Sequence, residues 1–290
     1  MTNCLVTGGS GFLGSHVCDE LTKQGYKVTI FDKKKSKWLQ PKQKMVVGSL
    51  SNIKLLEKLV KKNELIFHFA GMASLDEATN KPLHTVNYNI LGTVNLLNLC
   101  IKHKIRRFIY ASSIYAGSNV GGFYGVSKRA TEDYIREYSN LYKLKFSIIR
   151  YGSLFGVRSG PDNGLKKIIS SALKNNKVIY GGSNKTVRRY IDVRDAAILT
   201  VYILKSKYVN KHVIIFGKKL IKINFLLKLI KNHMRIKSNI IYKNKELIGH
   251  YLKNPNEYKI EKEIKVYPSG KQNIKIKIEN LINQITKNEK

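Results

Sequence analysis

The chain has 290 residues, enough for a substantial core in one or two domains. Its apolar share is 43%, and no apolar run is long enough to cross a bilayer, so no membrane-spanning helix is expected. The formal net charge of +34 raises two readings, a nucleic-acid or anionic-surface binder and a solvated lysine-rich exterior.

The first half alternates strand and helix patterns. Short β-rich apolar runs at 3–8 (NCLVTG), 26–32, 44–48, 65–70 and 106–113 predict strands, with helical segments between them near 12–24, 52–63, 82–103 and 124–142. FSIIRY at 146–151 adds a sixth strand. This alternation implies βαβ units and an α/β fold: a doubly wound parallel sheet of the Rossmann type, covered on both faces. After Tyr151 the pattern loosens. Glycine and proline cluster at 156–164, a helix is predicted over 164–175, a short strand over 178–180, and VRRYIDV forms a further strand at 187–193. Beyond about 217 the chain is lysine-rich. Leu226, Leu229, Ile230 and Met234 share one face of an amphipathic helix, read as docked on its own core and not on a membrane. The expected division is a dinucleotide-binding domain at 1–151 and a smaller α/β substrate lobe at 152–290, partly interleaved with it.

Positive charge is spread from Lys33 to Lys290, and arginine, which suits bidentate phosphate contacts, is scarce. Nucleic acid is therefore not the expected partner. Cys4, Cys18 and Cys100 are widely spaced in apolar stretches and read as buried thiols of a reducing compartment. A glycine-rich turn from Gly8 leaves no room for the apolar region of a secretory signal, so a cytoplasmic location is expected.

That turn, LVTGGSGFLGSH, stands where the first strand passes into the first helix. Gly8, Gly11 and Gly14 meet three demands: a residue tolerating positive φ, close approach of the backbone to a pyrophosphate, and tight helix–strand packing. The helix N-terminus then offers free N–H groups to the diphosphate. Asp32 ends the second strand 18 residues after Gly14 and is placed to accept ribose hydroxyls. Its charge favours NAD over NADP, although Lys33, Lys34 and Lys35 follow directly.

The fifth strand ends in Ser112 and Ser113, beyond which a ligand lies in a parallel sheet. In the next helix Tyr124 precedes Lys128 by one turn. Tyr258–Lys262 and Tyr267–Lys271 repeat the spacing, but only Tyr124–Lys128 follows a strand that ends at the cofactor crevice. A free tyrosine, with pKa near ~10, is a poor base at neutral pH. A neighbouring ammonium and the positive nicotinamide ring are both expected to lower it, letting Tyr124 take a proton from a sugar hydroxyl while Ser113 bonds the reacting oxygen and Lys128 also holds the nicotinamide ribose. His68, inside an apolar strand, reads as a packed core histidine, and no cluster has metal-ligand spacing.

Together TGGSGFLGSH, Asp32, HFAG (68–71), NKPL (80–83), NILGT (89–93), the strand-end serines, YGVSK and RYGSLFG (150–156) resemble the extended short-chain dehydrogenase/reductase family, in its branch of nucleotide-sugar epimerases and dehydratases. The resemblance covers residues 3 to about 200. It implies an NAD domain, a C-terminal lobe for the nucleotide sugar, a homodimer and a place in surface-polysaccharide biosynthesis. By position it implies cofactor contacts from Phe12, Leu13, Ser49, Ala70, Asn89 and Tyr151, and substrate contacts from Ser153 and Arg188. Several positions depart from the family pattern. Ser49 stands for an aspartate at the adenine contact, Ser153 for an asparagine, and Arg189 and Asp192 for an aspartate and a histidine. Ile114 and Tyr115 occupy the places of the acidic pair that dehydratases use for elimination, which disfavours dehydration. The leading expectation is an NAD-dependent epimerase acting through a transient keto sugar. An NAD(P)H-dependent keto-sugar reductase and a non-catalytic RNA binder on the same fold are the alternatives.

Overall fold

The computed structural model of the chain describes residues 1–243, 263–269 and 273–288. Its first half runs β1 (Asn3–Thr7), α1 (Phe12–Lys23), β2 (Lys27–Asp32), β3 (Gln43–Val47), α2 (Ile53–Val60), β4 (Leu65–His68), α3 (Leu75–Asn80), α4 (Pro82–Thr85), α5 (Gly92–Lys102), β5 (Arg107–Ser113), α6 (Gly122–Tyr142) and β6 (Phe146–Tyr151). The second half runs β7 (Ser153–Phe155), α7 (Gly164–Asn175), β8 (Ile179–Tyr180), β9 (Val187–Arg188), β10 (Tyr190–Asp192), α8 (Val193–Tyr202), β11 (Lys211–Ile215), β12 (Ile221–Lys222), α9 (Ile223–His233), β13 (Ile241–Tyr242), β14 (Ile264–Val266) and α10 (Ile274–Asn288).

Eight strands form one parallel sheet in the order β14-β11-β6-β5-β4-β1-β2-β3. The strand order reverses between β1 and β4, and the carboxyl ends there define the crevice where such sheets bind ligands. Side-chain alternation explains how the sheet is covered. Cys4 and Val6 of β1, Val28 and Ile30 of β2, and Leu65 and Phe67 of β4 pack on one face with Val17, Cys18 and Leu21 of α1 and Ala196 and Val201 of α8. Leu5, Phe31 and Ile66 point the other way, onto Leu56, Leu97 and Ile135 of α2, α5 and α6. All three cysteines are buried free thiols.

Three sequence expectations change. The sheet has eight strands, not six, because β11 and β14 from the lysine-rich second half extend its far edge. The helix predicted over 82–103 is broken by a π-helical stretch, Val86–Leu91, between α4 and α5. Asn89 in that stretch is drawn inward by bonds to Met72 and Ser127, which a continuous α-helical surface does not require. The strand predicted at 187–193 also divides: β9 pairs with β12, whereas β10 pairs with β7.

A third core belongs to the C-terminal elements. Leu226, Leu229 and Ile230 of α9 are buried there against Leu165 and Ile169 of α7 and Ile278 and Leu281 of α10, with Met234 packed at the edge. The amphipathic face of α9 is thus satisfied by its own protein, as its pattern predicts. Asn163 and Asp192 cap α7 and α8 by accepting from Lys166 N and Arg194 N, contacts worth about 1 kcal/mol each. Among the described residues no helix is long and apolar enough to cross a membrane. Tyr258, Lys262 and Lys271 lie outside the described residues.

Candidate active site

The β1–α1 turn is shaped by excluded volume. Gly8 has φ +73°, and a Cβ there would stand 2.5 Å from Ala70 N at the end of β4. A Cβ on Gly14 would stand 2.3 Å from Gly8 O, so α1 can start this close to β1 only without one. Gly11 occupies the N-cap of α1 and no side chain caps the helix. The first-turn N–H groups, those of Phe12 and Leu13 among them, therefore have no intrahelical acceptor and present a partial positive charge. Asp32, at the end of β2, accepts from Ser10 N (3.0 Å) and Lys34 N (3.2 Å), which aims its carboxylate beside the turn. An uncapped helix start for a diphosphate and an oriented carboxylate for ribose hydroxyls fit a dinucleotide.

A cavity of about 370 Å³ opens farther along the crevice, lined by Ser49, Leu50, Ser51, His84, Tyr88 and Leu91 among others. Ser49 turns its hydroxyl to Ser51 (2.9 Å). Lys33 lies over the Tyr88 ring, 4.2 Å from its centroid, at the same end.

At the other side of the switch point, β5 delivers Ser113 and α6 delivers Tyr124 and Lys128. Ser113 accepts from Tyr115 N (3.3 Å) and hydrogen-bonds the Tyr124 phenol. Lys128 is 5% exposed, donates to Ala111 O at 2.8 Å, and lies 4.7 Å from the Tyr110 ring centroid and 5.9 Å from that of Tyr124. Here a sequence expectation is corrected. Burial pushes Tyr124 above its ordinary pKa, and the Ser113 bond offsets only part of that. The ammonium of Lys128 does not lower it, because that group is turned onto the Ala111 carbonyl and the Tyr110 face. Burial brings Lys128 itself down to about 8, with Glu132 opposing.

Asn89 is 2% exposed and spends its side chain on protein: Oδ1 accepts from Met72 N (2.7 Å), and Nδ2 donates to Met72 O (3.1 Å) and Ser127 Oγ (2.9 Å). Ser127 Oγ in turn bonds Tyr124 O at 2.8 Å. Asn89 thus ties the loop after β4 to the turn of α6 that carries Tyr124. His68 is held by Thr7 Oγ1 (2.6 Å) and Thr93 Oγ1 (2.8 Å), and burial drops its pKa to about 3. It is the neutral core histidine that its apolar strand predicts.

Other positions are spread differently. The Tyr151 ring sits in the core with α1 and α8, and its hydroxyl pairs with Thr200 Oγ1 at 2.6 Å, so only its backbone faces the strand end. Ser153 lies on β7 opposite Tyr190, and Arg188 lies half-buried on β9 opposite Ile221. Arg189 donates to the carbonyls of Gly217 and Lys218 and covers the Phe216 ring at 5.0 Å. Asp192 caps α8 and pairs with Arg194 (2.9 Å). Ile114 is buried beside Ile214 and Phe216, and Tyr115 stands edge-on to Tyr124 at 6.2 Å between centroids. Sequence reasoning passed over Glu132, which lies one turn beyond Lys128 and is fully buried. Its only signal is an acid at i+4 from Lys128 on the helix that carries Tyr124.

Comparison with known proteins agrees with this geometry. The model of the NAD dependent epimerase/dehydratase family matches residues 4–216. A candidate UDP-glucose 4-epimerase of Methanocaldococcus jannaschii is 32% identical over 260 residues, covering 82% of this chain and 84% of that protein. A UDP-N-acetyl-alpha-D-glucosaminuronate decarboxylase of Bacillus cytotoxicus is 30% identical over 243 residues, covering 74% of this chain and 75% of its own. The crystal structure of a UDP-glucose 4-epimerase of Thermotoga maritima with UDP-glucose superposes with a TM-score of 0.86 at 25% identity, over 100% of both chains.

Proposed function

The chain belongs to the NAD dependent epimerase/dehydratase family, and we propose that it epimerises a nucleotide sugar through a transient keto intermediate. The observation that carries this reading is the meeting of Ser113, Tyr124 and Lys128 at the strand ends beside the uncapped start of α1. NAD, when bound, would supply reversible hydride acceptance at the sugar carbon. Gly8, Gly11, Phe12, Leu13 and Gly14 would hold its diphosphate, Asp32 its adenosine ribose, and Ser49 and Ala70 would line its path.

Tyr124 takes the hydroxyl proton of the sugar and gives it back after the keto sugar has turned. Its raised pKa makes the return easy and the removal hard. A cationic ring in the crevice and the Ser113 bond both favour the phenolate when removal is required. Ser113 also orients the reacting oxygen, and Lys128, one turn along α6 from Tyr124, is fixed on Ala111 O. The elements from β7 to α10 other than α8, β11 and β14 serve as the substrate lobe, with Arg188 on the diphosphate and Ser153 on the sugar. Ile114 and Tyr115 offer no carboxyl group for elimination, which supports epimerisation over dehydration. Leu91, Phe123, Val126 and Tyr134 are exposed on the Val86–Leu91 stretch and α6, and a second copy of the chain is their proposed cover, giving a homodimer. The cytoplasm and the supply of sugars for surface polysaccharides complete the reading.

The test is a nuclear magnetic resonance assay with NAD and a panel of UDP-, dTDP-, GDP- and CDP-sugars. One sugar should convert to its stereoisomer without net NADH, and Tyr124→Phe should slow this by about 100-fold or more while leaving NAD affinity unchanged. In a parallel assay supplied with NAD(P)H and a nucleotide keto sugar, cofactor consumed in proportion to product would instead make the protein a keto-sugar reductase.

A further inference from the structure

Lysines are spread from end to end of the sequence, but the topology gathers one set of them. In a parallel sheet every helix-to-strand loop returns to the same end, opposite the strand carboxyl ends that form the crevice. Five such loops lead into β2, β4, β5, β6 and β11, which with β1 are six adjacent strands. At about 4.8 Å between strands, their starts span about 24 Å. The helices that end here cover both faces, α1 and α8 on one and α2, α5 and α6 on the other, so the loops tile an area and not a line.

From the last helical turn to the first strand residue, these segments (20–27, 57–65, 99–107, 139–146 and 199–211) hold fourteen Lys and Arg against three Glu. That is a net +11 in 47 residues, where the whole chain carries +34 in 290, so the charge here is about twice as dense. Local needs account for only part of it. Five helix C-termini present about −0.5 charge each, which two or three cations balance. Glu57 pairs with Lys102 (2.7 Å) and Glu64 with Arg106 (3.4 Å), and Arg107 is buried on the carbonyls of Ile203 and Leu204. Lys61, Lys62, Lys143, Lys145, Lys205 and Lys207 are exposed, with no carboxylate partner among the described residues. Beside them the last turn of α6 exposes Leu141 (69%) and Tyr142 (58%).

An unpaired basic area calls for a partner of opposite charge, and two observations favour a bilayer over a nucleic acid. Arg106 is the one exposed arginine of the five segments, and lysine is a point charge without the planar fork that grips single phosphates. A nucleic-acid strand is tracked by a groove with rings free for stacking, whereas this is a two-dimensional array in which Tyr202 is covered by Lys205 at 4.1 Å. We propose that the amino-terminal end of the sheet is a docking surface for an anionic lipid bilayer, its lysines meeting headgroup phosphates while Leu141 and Tyr142 enter the interface. The crevice then faces away from the membrane, and the docking depends on no role given to Tyr124 or Lys128.

The experiment is co-sedimentation of the full-length protein with phosphatidylcholine vesicles containing about 30% phosphatidylglycerol, at about 0.1 M salt. Binding should require the anionic lipid and weaken as salt rises. Combining Lys61→Gln, Lys145→Gln, Lys205→Gln and Lys207→Gln should weaken it by at least about 50-fold. A control of equal net charge, Lys177→Gln, Lys218→Gln, Lys222→Gln and Lys228→Gln, removes exposed lysines of the loops and helix of the second half and should change it by less than about 5-fold. Equal losses in the two variants overturn the proposal, because bulk charge then explains the binding. Absence of vesicle binding by the unaltered protein overturns it as well. Single-stranded RNA held by the same four lysines, with no binding to vesicles, overturns it in favour of nucleic acid.

Discussion

The β1–α1 turn and the β9–β10 segment, both proposed to serve one crevice, are built on different principles. In the turn the decisive contacts are between backbone atoms, and the residues that matter are those without side chains: Gly8 against Ala70 and Gly14 against Gly8. In the segment the decisive groups are long side chains whose direction depends on partners far along the sequence, β12 for Arg188 and β7 for Tyr190. A site made of excluded volume tolerates almost no substitution. A site made of reach and pairing tolerates most substitutions and fails at one or two.

The largest expected effect tests the first half of that contrast. Gly14→Ala places a methyl 2.3 Å from Gly8 O, and backbone cannot yield as a flexible side chain can. Stability should fall by about 3 kcal/mol or more in urea denaturation, and the NAD dissociation constant should rise by at least about 100-fold in calorimetry. A tolerated alanine would show that the turn is looser than its contacts suggest.

The next separates the adjacent arginines of the second region. Arg188→Met should raise KM for the nucleotide sugar by about 10- to 100-fold with stability changed by less than about 1 kcal/mol, if Arg188 meets the diphosphate. Arg189→Met should do the reverse, costing about 1–2 kcal/mol of stability with a smaller change in KM, because its guanidinium serves Gly217 and Lys218. Reversed results would exchange the roles of the two residues.

The smallest effect concerns buried histidines, where pairing and packing meet. Burial lowers the pKa of His68 to about 3 and of His212 to about 4. The unfolded chain titrates near ~6.5, so the folded values are depressed. The stability these neutral rings preserve is complete above about pH 6.5 and is lost as pH falls toward the folded values. Each ring adds about 1.4 kcal/mol per pH unit to the acid slope within that window. His212→Leu should remove one such increment between about pH 6 and about pH 4.5, read by urea denaturation at a series of pH values. An unchanged slope would mean that His212 is protonated in the folded protein.

The same contrast explains how much was legible in the letters. Gly8, Gly11, Gly14 and Asp32 stand out by their spacing around one strand–helix–strand unit, and β1 to β6 follow from apolar runs of strand length. His68 was also legible, since an apolar strand leaves a histidine nowhere to go but the core. Tyr124 and Lys128 could be chosen from their position after β5, but not the direction of the tyrosine's pKa. That depends on Lys128 turning to Ala111 O, a contact 17 residues away in sequence. Tyr151 lies at a strand end, but whether its ring faces the crevice or the core depends on Thr200 of α8. Strand β14 was hidden because Lys265 interrupts its three residues, whereas β11 carries an unbroken apolar run that sequence reasoning passed over; pairing with β6 and with each other makes them strands.

The bond between Arg150 and Glu263 spans 113 residues. Strands β1 to β6 and helix α6 leave the ribosome long before residue 263, and nothing in their pairing waits for it. A nascent chain therefore passes through a stage at which the crevice has its shape, Glu132 already has Arg150, and the edge strand is still to come. The contact between Arg150 and Glu263 therefore forms late, when the edge strand joins β11 and completes the sheet.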